Sequence, residues 1–177
     1  MPQLPADWTR LTAAHGAALA QFTAAARSFP AERWPLPLAP GKWSPAEVTG
    51  HLAEGYQVLN VELDGGGGMR LLGRPLQRWI LRYTLLPRLL SSGRFPARAR
   101  APAETRPRQV EARPEAGISV LTEVAERFIG TLAARAAVDR VRLTHAYFGP
   151  LDVRQAVRLC EVHTCHHARQ LERALAG

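Results

Sequence analysis

The sequence predicts an all-α protein, four long helices in a bundle with one insertion between the second and the third. Three observations point there. Ala, Leu and Arg abound while Val and Ile are sparse, a balance that favours helix over sheet. Four stretches place apolar residues three and four apart, the period of a helix with one buried face. Joints rich in proline, glycine or arginine separate these stretches, and no segment repeats another. A chain of 177 residues ordinarily makes one domain, taken here as residues 1–177, and can bury a sizeable core.

The first helix is expected from about Ala6 to Phe29, with Trp8, Leu11, His15, Ala18, Leu19 and Phe22 on one stripe. His15 inside that stripe reads as a hydrogen-bonded core histidine. Pro30 ends the helix, and the proline-rich residues 30–43 read as an extended connection. Ser44 then caps the second helix, with Pro45 at its first position and Glu47 completing a capping box. Its buried line is Val48, His51/Leu52, Gly55 and Val58/Leu59. Glu47 is read as a cap, with a role in orienting the His51 ring as the less favoured alternative.

Residues 65–113 form the insertion. Gly65 to Gly68 makes a joint, followed by an amphipathic segment from about Met69 to Leu90. Its expected buried line is Leu72, Leu76, Trp79/Ile80, Tyr83, Leu86 and Leu90, with Arg74, Arg78 and Arg82 as a ridge on another face. Gly73, Pro75 and Pro87 are expected to leave one short helix with irregular ends. Ser91 to Pro114, rich in Arg, Pro and Ala, reads as an extended surface strap with little to bury.

The third long helix is expected over Pro114–Ala137, burying Ile118, Leu121, Ala125, Phe128/Ile129, Leu132 and Ala136. A link from Val138 to Pro150 follows, its end a compact turn. Asp152, with Gln155 three residues on, caps the last helix. That helix buries Val153, Ala156/Val157, Cys160, His163/Thr164, His167, Leu171 and Ala174/Leu175.

The net charge of +8 is uneven. Residues 67–113 hold eleven arginines against Glu104 and Glu111, while the remainder is near neutral. The first reading of that basic segment is a helix with a solvated face. A cationic cover that draws an anionic substrate inward, or a site for an anionic membrane surface, are the alternatives. Nucleic acid is disfavoured, because Phe95 is the one aromatic residue among the arginines of 94–113. Cys160 and Cys165, five apart on one helix, face different ways and cannot easily bridge. Met1 to Pro5 carries no signal-peptide pattern, and no stretch reaches about 18 uninterrupted apolar residues. A soluble, cytoplasmic protein is the expectation.

His163 and His167 lie four apart, on one face of one helix, and can share an ion. His51, on the inner line of the second helix, is the candidate third ligand. Three buried imidazoles left unsatisfied would each cost on the order of 1–3 kcal/mol, and one divalent cation would satisfy all three. Neutral imidazole suits Zn, Ni, Cu and Fe(II). His166 points about 100° away from His167, towards the flank. Tyr56 and Tyr147 read first as packing residues.

Lys42-Trp43-Ser44-Pro45-Ala46-Glu47-Val48-x-x-His51-Leu52, then His145-x-x-Phe148-Gly149-Pro150-Leu151, then His163-x-x-x-His167-x-x-Gln170-Leu171, in that order, resembles the DinB/YfiT-like superfamily. The resemblance covers most of the chain, but residues 65–113 carry no motif of it. It implies an up-and-down four-helix bundle, often a homodimer, with metal ligands at His51, His163 and His167. It also implies a small-molecule substrate. The resemblance points to Zn or Ni and to a metal-dependent hydrolase, or to a thiol transferase using bacillithiol or mycothiol. A bundle with a structural metal or none is the non-catalytic alternative.

Overall fold

The computed structural model describes residues 6–95, 100–108, 110–135 and 140–176. Four long helices make the bundle: α1 (Trp8–Arg27), α2 (Pro45–Leu63), α4 (Pro114–Ala134) and α5 (Val153–Ala176), with α3 (Pro75–Ser92) inserted after α2. A small antiparallel hairpin, β1 (Arg142–His145) and β2 (Gly149–Asp152), leads into α5. The predicted all-α bundle with a partly helical insertion is the architecture observed. Ala136 and Ala137, expected in the third long helix, lie outside the described residues.

The predicted stripes became the core. Trp8, Leu11, His15, Ala18, Leu19 and Phe22 of α1 are all buried. They meet α5, and further round they meet α4. Val48, Leu52 and Leu59 of α2 face Leu121, Ala125, Phe128 and Leu132 of α4. Asn60 Nδ2 donates to the Val124 carbonyl at 2.9 Å and locks those two helices in register. The proline-rich connection also adds to the core: Trp34 is fully buried, and its indole N–H donates to the Glu111 carbonyl at 2.8 Å. Gly117 leaves room for that ring, since a Cβ there would sit 3.2 Å from it.

The link expected before α5 contains the hairpin. Leu143 and Leu151 pair across it and are both buried. Gly149, at φ +71°, supplies the left-handed backbone that the turn needs. The Glu62 carboxylate accepts from the Thr144 N–H at 2.8 Å and its hydroxyl at 2.6 Å, fastening β1 to the end of α2. These strands are four residues each, too short for an alternating pattern to stand out from a loop.

The insertion departs most from expectation. α3 runs for 18 residues: Pro75 opens it at the first position, and the helix continues through Pro87. It is also rolled about its axis, so that only the Leu86 end of the expected line turns in. Leu86 and Leu89 are buried, whereas Leu76, Trp79, Ile80 and Tyr83 are exposed. Of the arginine ridge, Arg82 turns inward while Arg74 stays exposed. Arg82 donates to the carbonyls of Phe148 and Pro150 at the hairpin, and Arg78 donates to the Gly73 carbonyl at 2.6 Å. Arg158 of α5 reaches the Leu90 carbonyl at 3.0 Å. Guanidinium groups that satisfy stray carbonyls decide which side of this helix lies against the protein.

Candidate metal centre

α2 is started by its cap. The Ser44 side chain accepts from the Glu47 N–H at 3.1 Å, and the Glu47 carboxylate accepts from the Ser44 N–H at 2.8 Å. Almost two turns on, His51 is buried and points into the bundle. α5 starts the same way, with Gln155 N–H donating to Asp152 Oδ1 at 2.8 Å and the Gln155 side chain accepting from Asp152 N–H at 3.2 Å. His163 and His167 follow on its inner face.

All three rings meet. The Nε2 atoms of His51 and His163 are 3.1 Å apart, and those of His163 and His167 are 3.0 Å apart. One ligand nitrogen from each ring lies within 4.8 Å of the other two. Three nitrogens around a tetrahedral zinc at 2.0–2.1 Å would stand about 3.3 Å apart, so the spacing fits one ion after small adjustment.

The outer nitrogens make the fit sharper. His51 Nδ1 lies 2.6 Å from the Thr105 carbonyl oxygen, which can only accept. Nδ1 therefore carries the proton, and Nε2 presents a lone pair. His167 Nδ1 lies 2.9 Å from Gln170 Oε1, which fixes its tautomer in the same way. Two lone pairs thus converge on His163 Nε2, which has at most one proton to give. One of the two lone pairs must go unanswered among these rings. A cation between the three nitrogens removes the conflict, so the donor set could hold a metal ion.

Protonation does not compete near neutral pH. Burial, reinforced by the neighbouring imidazoles, holds His163 well below the ordinary histidine range and His167 at about 3. Burial also lowers His51, partly opposed by its bond to Thr105.

Aromatic rings wall the cluster. Trp43 lies 4.8 Å from the His51 ring, and Phe95 lies 5.1 Å from that of His163. The cluster opens into a cleft of about 2130 Å³, larger than the several hundred Å³ of ordinary ligand pockets. Lys42, Arg94, Arg100, Arg106 and Arg173 line it, and among the described residues none of them is in an ion pair. Among the described residues Glu47 is the one acidic residue on its lining, and it is engaged in the α2 cap.

Other expected residues take lesser places. The Glu47 carboxylate serves the cap, and it is Thr105 that hydrogen-bonds and orients the His51 ring. His166 lines the cleft with its ring 5.0 Å from that of His167, but stands outside the three-nitrogen group. His15 is the predicted core histidine, its Nε2 2.7 Å from the Tyr56 hydroxyl, which also meets Thr164 Oγ1 at 3.2 Å. Tyr56 both packs in the core and lines the cleft, and Tyr147 lines the cleft while donating to the Arg100 carbonyl. Cys160 and Cys165 are free thiols, and burial pushes Cys160 up to about 12.

Sequence reasoning missed two partners. Gln170 was visible, three residues after His167 on the same helix. Thr105 was not, because it acts through its backbone carbonyl and belongs to the strap thought to bury little. Thr105 is in fact buried, in a short 3-10 turn (Ala103–Thr105) that closes over His51.

A family model described as the DinB superfamily matches residues 14–171. The chain belongs to that superfamily. The match runs from α1 to α5 and so takes in the DinB bundle, the three histidines and the insertion between them. Comparisons with curated proteins and with solved structures return no match. No helix among the described residues is long and apolar enough to cross a membrane.

Proposed function

We propose that this DinB-superfamily chain is a metal-dependent enzyme acting on a small molecule. His51, His163 and His167 would hold a divalent transition metal, zinc or nickel first. The observation that carries this is the meeting of three Nε2 atoms, two of them fixed as lone pairs by Thr105 and Gln170. Three neutral nitrogens leave at least one coordination position for a further group, which is the mark of a reactive site. A bound metal would lower the pKa of a water or thiol placed beside it.

Between water and thiol we favour a low-molecular-weight thiol such as bacillithiol or mycothiol, with a hydrolase as the second reading. The unpaired cations of the cleft support the first, because they would receive an anionic thiol. Trp43 and Phe95 would shield the reacting atoms from bulk water. The thiol would lose its proton, its sulfur would bond to an electrophilic carbon, and the leaving group would depart with its bonding electrons. Neither protein thiol is suited to this part, since burial raises Cys160 to about 12 and also raises Cys165, which does not line the cleft.

The Co(II) form offers the test. Its visible spectrum should shift on adding an anionic thiol and not on adding the matching alcohol. A spectrum indifferent to every thiol but sensitive to hydroxide would move the reading to hydrolysis.

A further inference from the structure

The exposed apolar side chains of this protein are concentrated in one place. Nine large hydrophobic residues are exposed among the described residues, and five of them lie between 71 and 83. Leu76 (67%), Trp79 (59%), Ile80 (44%) and Tyr83 (61%) fall on one arc of α3; the buried Leu86 marks its edge and the buried Leu89 lies beyond. They make a stripe about 10 Å long from Leu76 to Tyr83. Trp79 and Tyr83 touch each other, ring centres 5.1 Å apart, and little else covers them. The orientation is enforced, because Arg82 and Arg158 hold the other side of the helix to the hairpin and to α5.

Charge says what could cover this stripe. α3 contains no acidic residue; Arg74 at its N-cap and Arg88 are exposed on the side of the helix away from the stripe. The segment 67–113 carries eleven arginines and two glutamates, a net of +9. A second copy docking through the same face would set two such segments against each other. An anionic surface has the opposite preference. Trp and Tyr, with apolar bodies and polar tips, suit the boundary between lipid headgroups and acyl chains. α3 is not a spanning helix, so it would lie in the plane of the surface.

We propose that α3 is a membrane-surface helix that seats Leu76, Trp79, Ile80 and Tyr83 among the headgroups of an anionic bilayer. The arginines of the surrounding segment 67–113 meet the lipid charge. This requires no metal and stands apart from the metal centre.

Co-sedimentation of the full chain with vesicles tests it, using phosphatidylcholine alone and equal parts phosphatidylcholine and phosphatidylglycerol. Binding is expected to the anionic vesicles only, and to weaken as salt is raised. The Trp79→Ser/Tyr83→Ser double variant, altered only at exposed positions, should keep its helical circular dichroism and bind at least about tenfold more weakly. Three results would overturn the proposal. One is no binding to anionic vesicles. Another is equal binding by the double variant, which would show charge alone at work. The third is a lipid-free dimer by sedimentation velocity that the double variant abolishes, which would give the stripe to a second copy.

Discussion

The carbonyl oxygen of Thr105 sits 2.6 Å from Nδ1 of His51, across fifty-four residues of chain. This bond fixes the tautomer of the first candidate ligand, and it comes from the insertion instead of the bundle. The strap is thus part of the centre. Replacing residues 100–108 with a glycine-serine linker should leave the bundle folded and lower zinc affinity on the order of tenfold or more. Competition with a chromophoric chelator measures it. Unchanged affinity would show that the strap is only a cover.

Gln170 has the same role towards His167. Gln170→Ala should weaken metal binding by about 10- to 100-fold, whereas Gln170→Glu keeps an acceptor beside Nδ1 and should hold affinity near the native value. Glu47→Gln is the control. Its side chain can still accept from Ser44 N–H, and it is Thr105 that orients His51, so affinity should stay within about twofold.

The fold was legible where burial follows from period. The stripes of α1, α2, α4 and α5 could be read from spacing alone, because on those helices one face is apolar and the other is not. The three histidines were legible too, since imidazole on a buried line demands a partner. α3 was not. A helical wheel separates its apolar and arginine faces but cannot say which one meets the protein. Carbonyls at Phe148 and Pro150, far away in sequence, decide that by accepting from Arg82. Thr105 was invisible for a related reason: backbone acceptors have no residue signature.

Arg82 is therefore expected to matter more than its surface-helix setting suggests. Arg82→Ala should destabilise the protein by about 1–3 kcal/mol in urea unfolding. Hydrogen exchange should quicken over residues 75–92 first. An even loss of protection over the whole bundle would contradict a local clamp.

His15 should set an acid limit. Burial holds it at about 4 against an ordinary 6.5, so the folded state keeps it neutral where the unfolded chain binds a proton. Its contribution is complete above pH 6.5 and is lost as pH falls towards 4, on the order of 3 kcal/mol. His15→Gln should flatten the fall in stability over that window, measured by urea titration at several pH values. A slope as steep as that of the native protein would mean that His15 already titrates near its ordinary value.

The most direct measurement is the metal content of the purified full chain after loading with zinc, nickel or cobalt, compared with His163→Ala. One tightly held ion per chain is expected in the native protein, and its loss in the variant, with circular dichroism unchanged. No stoichiometric ion in the native protein, or equal uptake by His163→Ala, would contradict the three-histidine centre.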